Sequence, residues 1–443
     1  MKSITFRIAV LVAGALAVSG CSLFKRGSKP STPIVGERIS VLASETDVEV
    51  DSTTASLPMT LPAPVANSEW AQRGGNASKS MGHVELGTAL GQAWEVSIGR
   101  GTTLSARLGA GPVVADGRVY TIDTTATVRA FDAQTGRQAW ATQFGTERGN
   151  EPSLFGGGLA YGNGRVYATN GLGFVAALDA GNGGIAWQVR PGGPLRGAPT
   201  IAGDALYVMS QDNQIYSLKT ADGTTNWSQA AALEIAGVFG VASPAFAQGT
   251  IVAGFSSGEL NAYRYENGRI VWQDALARTS IRTSVSSLAD INADPVIDSG
   301  QVIAIGQGGR MVALELISGQ RMWELNIAGI STPWVAGDWV FVVTDDAKVL
   351  AIARATGKIR WITQLPQFRS EKSKSGLISY VGPVLAGGRL IVAGSNGSLI
   401  NIDPVGGSVQ SQTRIKAPIS LPFAVANSTL YVLDDDGKLH AFR

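Results

Sequence analysis

One unit recurs eight times along this chain with almost no slippage, and it leaves few folds open. An aromatic or β-branched residue stands at Tyr120, Tyr167, Tyr207, Val252, Ile303, Phe341, Ile391 and Tyr431. Twenty residues after the first seven of these come Trp140, Trp187, Trp227, Trp272, Trp323, Trp361 and then Ser411. Four residues before each of those stands Gly136, Gly183, Gly223, Gly268, Gly319, Gly357 or Gly407. In six of the eight units a Pro precedes the first position by eight residues: Pro112, Pro199, Pro244, Pro295, Pro333 and Pro383. A repeat of roughly 45 residues made of short apolar runs and turn residues reads as a radial array of small sheets.

A single unit shows why. Val113-Val-Ala is a short apolar run, and Asp116-Gly117 is a turn signal. Arg118 to Ile122 and Val128 to Phe131 have strand composition, with Thr124-Thr-Ala between them. Gly136 sits in a tight turn where glycine takes positive φ at low cost. Arg137 to Thr142 is the fourth strand. Pro at the opening position is tolerated because the first residue of a strand need not donate to the ladder. The fixed Trp predicts a large ring packed on the next sheet, with an indole N–H that needs an acceptor.

The last unit lacks a fourth strand, since Leu439 to Arg443 aligns with the third strand of the others. A spare strand lies at the other end: Gln92-Ala-Trp94-Glu-Val-Ser-Ile98 has a Trp and no unit before it. Residues near 92–98 are therefore expected to complete the eighth sheet and remove the exposed edges. The fold class is all-β: an eight-bladed propeller of four-stranded antiparallel blades over residues 67–443, closed by an N-terminal strand.

Residues 1–20 read as a secretory signal, with Lys2 and Arg7 ahead of an apolar stretch from Ile8 to Val18. That stretch falls short of the about 20 residues that span a bilayer. Val18-Ser19-Gly20-Cys21 resembles a bacterial lipobox, and Cys21 is the sole cysteine of the chain. A lone exported cysteine is otherwise a free thiol, but this position marks Cys21 as a lipidation site. Ser22 after it resembles outer-membrane sorting, so the expected location is the periplasmic side of the outer membrane. Residues 21–66 carry Pro30, Pro33, Pro58, Pro62 and Pro64 among many Ser and Thr, with no sustained period. They read as a flexible tether reaching about 40 Å as a coil.

Little in the chain points to catalysis or metal binding. The two histidines, His83 and His440, stand far apart in sequence, and no Cys or His-x-x-His cluster exists. Asp434-Asp-Asp-Gly437 has calcium-loop letters but falls at the second-to-third strand turn of its unit, where Asp and Gly suit a hairpin. Gly156-Gly-Gly158 lacks the strand-to-helix setting of a phosphate loop. Arg369, Lys372 and Lys374 mark a longer solvated loop that is a secondary candidate for a partner contact. A net charge of +2 without single-sign runs argues against nucleic acid as a partner.

Asp132-Ala-Gln-Thr-Gly-Arg-Gln-Ala-Trp140 and Asp179-Ala-Gly-Asn-Gly-Gly-Ile-Ala-Trp187 resemble the quinoprotein-like propeller repeat, and the resemblance runs from about residue 90 to 443. Two branches of that group are open. Dehydrogenases that use the quinone cofactor PQQ share the blade pattern but are larger, and many carry a vicinal cysteine pair; no blade here holds a cysteine. The anchor, tether and minimal blades are more similar to the BamB family of outer-membrane assembly lipoproteins. That resemblance implies a non-enzymatic scaffold with no cofactor. Its implied partners are the periplasmic domains of BamA, other subunits of the β-barrel assembly machinery and, as a further candidate, unfolded outer-membrane proteins. In that family two loops leading into neighbouring blades contact BamA: a Leu-Arg-Gly loop before the fourth blade and a Ser-Asp-Val-Asp loop before the fifth. Leu288-Ala-Asp-Ile-Asn292 stands in register before the fifth unit, with Asp290 at the first acid and Asn292 at the second. Leu195-Arg196-Gly197 has the other loop's letters but precedes the third unit. The loop in register, Ala236-Gly-Val-Phe-Gly240, offers Val238 and Phe239 as an apolar anchor. Position favours Val238, Phe239, Asp290 and Asn292; Leu195 and Arg196 are the second choice, and ordinary blade-lead-in residues remain the plain alternative.

The lipidation reading has a direct test. Cys21→Ser should abolish metabolic lipid labelling and leave the precursor uncut or soluble; label retained in that variant would refute the anchor.

Overall fold

The structure, a computed structural model, describes residues 48–233, 242–276 and 289–443. Eight four-stranded antiparallel sheets follow one another around a ring. Their innermost strands begin at Val113, Leu159, Leu195, Ala245, Val296, Trp334, Tyr380 and Ala424. In the eighth blade the strand Gln92–Ser97 lies outside Lys438–Phe442, with Trp94 opposite Ala441 and Glu95 opposite His440. The expected closure is thus the observed one.

A side-chain row explains the twenty-residue spacing. In blade one Tyr120 stands opposite Ala130, and Ala130 opposite Trp140. The same row recurs as Tyr207–Ser217–Trp227, Val252–Ala262–Trp272 and Phe341–Ala351–Trp361. The small middle residue lets the outer rings meet over it: Tyr120 and Trp140 lie 6.0 Å apart, Tyr207 and Trp227 5.8 Å. All eight first-position residues of the row are buried.

Each Trp then reaches the next blade. The Trp140 indole N–H donates to Ala180 O at 3.0 Å, Trp272 to Leu316 O at 2.8 Å and Trp323 to Arg354 O at 2.7 Å. Trp94 makes the same bond to Ala133 O at 3.3 Å, carrying the pattern across the closure. The acceptors sit in the third-to-fourth strand turns, beside the repeat glycines. Those glycines have positive φ, +71° at Gly319 and +77° at Gly407. A Cβ at Gly319 would lie 2.5 Å from the Trp272 ring, and one at Gly183 would lie 2.6 Å from Trp140. Glycine is required twice over, by backbone conformation and by the ring lying flat against it.

Ser411 also has its explanation here. Blade seven would need a third-to-fourth strand turn in blade eight to receive a Trp. There the two strands come from opposite ends of the domain, and backbone bonds between Gly91 and Arg443 (2.7 and 2.9 Å) join them instead of a turn. With no glycine turn to dock on, the row becomes polar: Asn401 replaces the small residue and its Nδ2 donates to Ser411 Oγ at 2.8 Å.

The tether boundary at residue 66 needs correction, because residues 48–66 are docked. Asp51 caps the one-turn helix Ser52–Ser56, accepting from Thr54 N–H at 2.7 Å. Val50 bridges Ile359 on the outer edge of blade six, and Asp51 N–H donates to Ile359 O at 2.9 Å. Lys358 pairs with Asp51 at 3.2 Å, and the Arg360 guanidinium donates to Thr54 O at 3.1 Å. Met59 and Leu61 pack on the large core cluster that runs through blades six, seven, eight and one. Composition suggested coil because these anchors are isolated and mostly backbone-borne, leaving no periodicity to read. The signal segment, Cys21 and the tether up to residue 47 lie outside the described residues.

Residues 67–86 then cross the inner edges of the blades. Trp70 and Val114 exchange backbone bonds of 2.7 and 2.9 Å. Tyr161 N–H donates to Ala71 O, Phe246 N–H to Ala77 O and Ile297 N–H to Ser78 O, at 2.7 to 2.9 Å. The Gln72 amide exchanges two bonds with Ile201, Trp334 Nε1 donates to Gly82 O at 2.7 Å, and Val84 N–H donates to Leu385 O at 3.1 Å. With Asn67 Nδ2 on Val425 O, every blade is touched. This plug satisfies inner-edge groups that the blades leave unpaired.

Two tests follow from this packing. Trp272→Ala should cost about 3–5 kcal/mol as a large buried ring lost, and Gly319→Ala about 1–3 kcal/mol as overpacking. Ser411→Ala should stay within about 0.5 kcal/mol, as for a surface change. Denaturant melts of the three variants check the order, and a Gly319→Ala melt equal to wild type would refute the docking role. Separately, deleting residues 22–47 should leave the melting temperature unchanged, whereas deleting residues 22–66 should lower it; equal temperatures would return residues 48–66 to the tether.

Candidate functional site

The ring has two unlike faces. On one, the turns between first and second strands meet the plug: Gly387 N–H donates to Val84 O and Asn427 N–H to Asn67 O. His83 belongs to this seam. Its Nε2 accepts from Gly388 N–H at 2.9 Å, which leaves the ring proton on Nδ1, 2.8 Å from Pro62 O. The opposite face carries the loops that lead into each blade. They lie against the second-to-third strand turns, as in the bonds Gln211 N–H to Pro194 O, Asp345 N–H to Ala328 O and Ser395 N–H to Ser379 O.

The described bases of the lead-ins to blades four and five, residues 242–244 and 289–295, are on this second face. Residues 234–241, with Val238 and Phe239, lie outside the described residues, as do residues 277–288. The bases of both loops are described. Asp290 and Asn292 are buried at 1% and 7% exposure. Gln307 N–H donates to Asp290 O at 2.9 Å, Ile291 N–H to Phe255 O at 3.1 Å, and Asn292 Nδ2 to Gln307 Oε1 at 3.2 Å. These residues clamp the base of the fifth-blade loop between blades four and five; their side chains do not stand at a loop tip. Leu195 is 2% exposed and belongs to the core between blades two and three. Arg196 is in the same strand, opposite Met209.

Asp294 is the residue that sequence reasoning missed. Its carboxylate accepts from Ser243 N–H at 2.7 Å, and its own N–H donates to Thr332 Oγ1 at 3.1 Å. It also pairs with Arg73 of the plug at 2.9 Å, with its own side chain 1% exposed. One residue therefore ties together the bases of the two candidate loops and the plug through its carboxylate, and the lead-in of blade six through its backbone N–H. A signal for it was present. Nine residues before each of the eight first-position residues stands Gly111, Gly158, Ala198, Ser243, Asp294, Thr332, Gly382 or Pro422, and Asp294 is the sole charge in that column.

Four residues of that column, Asp294, Thr332, Gly382 and Pro422, also line an axial cavity of about 120 Å³. Trp70, Arg73 and Lys79 of the plug form one side, and Asp294, Trp334 and Phe423 stand among the blade residues facing them. Trp70 and Trp334 stack at 6.0 Å with planes 5° apart. Lys79 is 1% exposed, and burial pushes its ammonium down to about 8 despite the opposing pull of Asp294.

The other acidic candidates are occupied structurally. Asp434 accepts from Lys438 N–H at 2.9 Å and lies 2.8 Å from His440 Nε2, while Lys438 pairs with Glu95 at 2.7 Å across the ring closure. Asp434 to Gly437 is a hairpin turn, with Gly437 at φ +80°. Arg369 stands in a short hairpin formed by Phe368–Ser370 and Ser375–Leu377, and Lys372 and Lys374 are exposed at its tip.

Comparison with known proteins agrees with this architecture. The family model described as outer membrane protein assembly factor BamB matches residues 90–154 and 124–363. The outer membrane protein assembly factor BamB of Salmonella typhimurium is 27% identical over 374 residues, covering 74% of this chain and 83% of that protein. Among solved structures, BamB from Moraxella catarrhalis superposes with a TM-score of 0.67 at 19% identity, covering 80% of this chain and 100% of the other. A quinohemoprotein alcohol dehydrogenase from Comamonas testosteroni gives 0.64 at 13% identity, covering 85% and 80%. At such identities the two superpositions establish the propeller and say nothing of its use.

Proposed function

The chain belongs to the outer membrane protein assembly factor BamB family, and from that premise we propose that it is a non-enzymatic, lipid-anchored scaffold whose blade-four and blade-five lead-in loops hold the periplasmic domains of BamA. The observation that carries the choice of face is the tie made by Asp294 to Ser243. It gives two adjacent loops one rigid base, as a binding surface built on loops requires. Val238 and Phe239 supply the apolar centre of the contact. Asp290 and Asn292 act from below by fixing the base of the fifth-blade loop. Cys21 carries the acyl chains that keep the protein at the outer membrane, and the remaining tether sets its reach. Among the described residues no helix is long and apolar enough to cross a membrane.

A PQQ-dependent dehydrogenase is the second reading. Its support is the shared propeller fold, with a TM-score of 0.64 to the quinohemoprotein alcohol dehydrogenase. The scaffold reading is preferred because the curated relatives that match over most of the chain are named as assembly factors. Reduction of a redox dye with alcohols or sugars and added PQQ would reverse that order.

Truncating an interface anchor typically costs about 2 kcal/mol or more, which is roughly thirtyfold in affinity. Co-purification of BamA should therefore fall by about that factor with Phe239→Ala, and further with Val238→Ala added, while melting curves stay at wild type. Leu195→Ala should instead destabilise the fold by about 2–5 kcal/mol as a core truncation. Wild-type recovery of BamA by the folded double variant would reject this face.

A further inference from the structure

The axial cavity holds an imbalance of charge. Arg73 and Asp294 pair at 2.9 Å. Lys79 makes no ion pair among the described residues. Its Nζ donates to Thr200 Oγ1 at 3.1 Å, and that hydroxyl is committed to Pro244 O at 2.6 Å. An ammonium has three protons, so two are left without a described acceptor. Two cations and one carboxylate line the cavity, leaving one positive charge in a place where burial penalises it.

The space around this charge is shaped for more than water. A volume of about 120 Å³ is several times the roughly 10–15 Å³ that one water needs on the same measure. The walls are mainly apolar, with Trp70, Trp334, Val384 and Phe423 among them. A few polar groups converging in an apolar pocket are the usual composition of a small-molecule site. The hydroxyls of Ser331 and Thr332 are partly used, in bonds to Tyr380 O and from Asp294 N–H.

We propose that the axial cavity binds an organic carboxylate, whose charge offsets Lys79 and whose apolar body lies against Trp70 and Trp334. A carboxylate suits the site better than a dianion, since one charge is what the lining leaves uncompensated. The same chemistry is offered by a free small acid and by the C-terminal carboxylate of a polypeptide. The cavity is lined by residues leading into blades five to eight, so a chain end would enter from the lead-in face. This site is independent of the scaffold reading and stands or falls without it.

The test is equilibrium dialysis of the full detergent-solubilised chain against labelled benzoate, with benzamide as the uncharged counterpart. Saturable binding of benzoate and none of benzamide is expected. Lys79→Met should lower the affinity at least tenfold at an unchanged melting temperature. Should that variant fail to fold, Ile330→Trp, which fills the cavity from another lining position and keeps Lys79, should also abolish binding. Competition by a short peptide with a free C-terminus, but not by its amidated form, would assign the source as a chain end. Competition by neither would assign a free acid. No benzoate binding, equal binding of benzamide, or full affinity in folded Lys79→Met or Ile330→Trp would overturn the proposal.

Discussion

The ring is held by one repeated contact, an indole N–H given to a carbonyl of the next blade, with the ring face lying on a glycine. Trp140 on Ala180 and Gly183, and Trp272 on Leu316 and Gly319, are two of its copies. The contact couples three requirements. The indole needs an acceptor because it is removed from water. The acceptor must lie in a tight turn, and the turn must contain a residue with positive φ and no Cβ. Each blade therefore fixes the spacing to its neighbour, and a propeller without long insertions keeps its geometry over eight copies. The exception confirms the rule physically: at Ser411 no turn exists to receive a Trp, and the row turns polar with Asn401.

Closure of the ring leaves the innermost strands with unpaired inner edges, and the chain's own N-terminal segment covers them. That has a functional consequence. On one face the plug meets the ring, with His83, Asn67 and Val84 bonded to first-to-second strand turns and strands. The other face keeps the blade lead-ins and the axial cavity. On the reading proposed above, the bases of the two lead-in loops that would hold a partner are joined at Asp294.

The candidate site was only partly legible in sequence. Register located the fifth-blade segment, because the repeat fixes which residues lead into which blade. It did not reveal that Asp290 and Asn292 are buried, since burial at a lead-in depends on the neighbouring blade's turn, here Phe255, and on Gln307. Leu195 likewise lies in a core that only the packing of blades two and three creates. The docking of residues 48–66 escaped notice for a related reason, because Asp51, Lys358 and Arg360 meet across some three hundred residues of chain.

What the sequence determined by itself was everything that repeats. Blade number, strand order, the closing strand, the glycine turns and the inward-facing Tyr row follow from a local pattern copied eight times, and local patterns need no knowledge of distant contacts. What only the tertiary structure decided was everything that happens once. The path of residues 67–86 across the inner edges, the pairing of Arg73 with Asp294 and the burial of Lys79 in the axial cavity arise where a non-repeating segment meets all the blades together. A single occurrence leaves no period in the chain, and its partners are set by the closed ring rather than by neighbours in sequence.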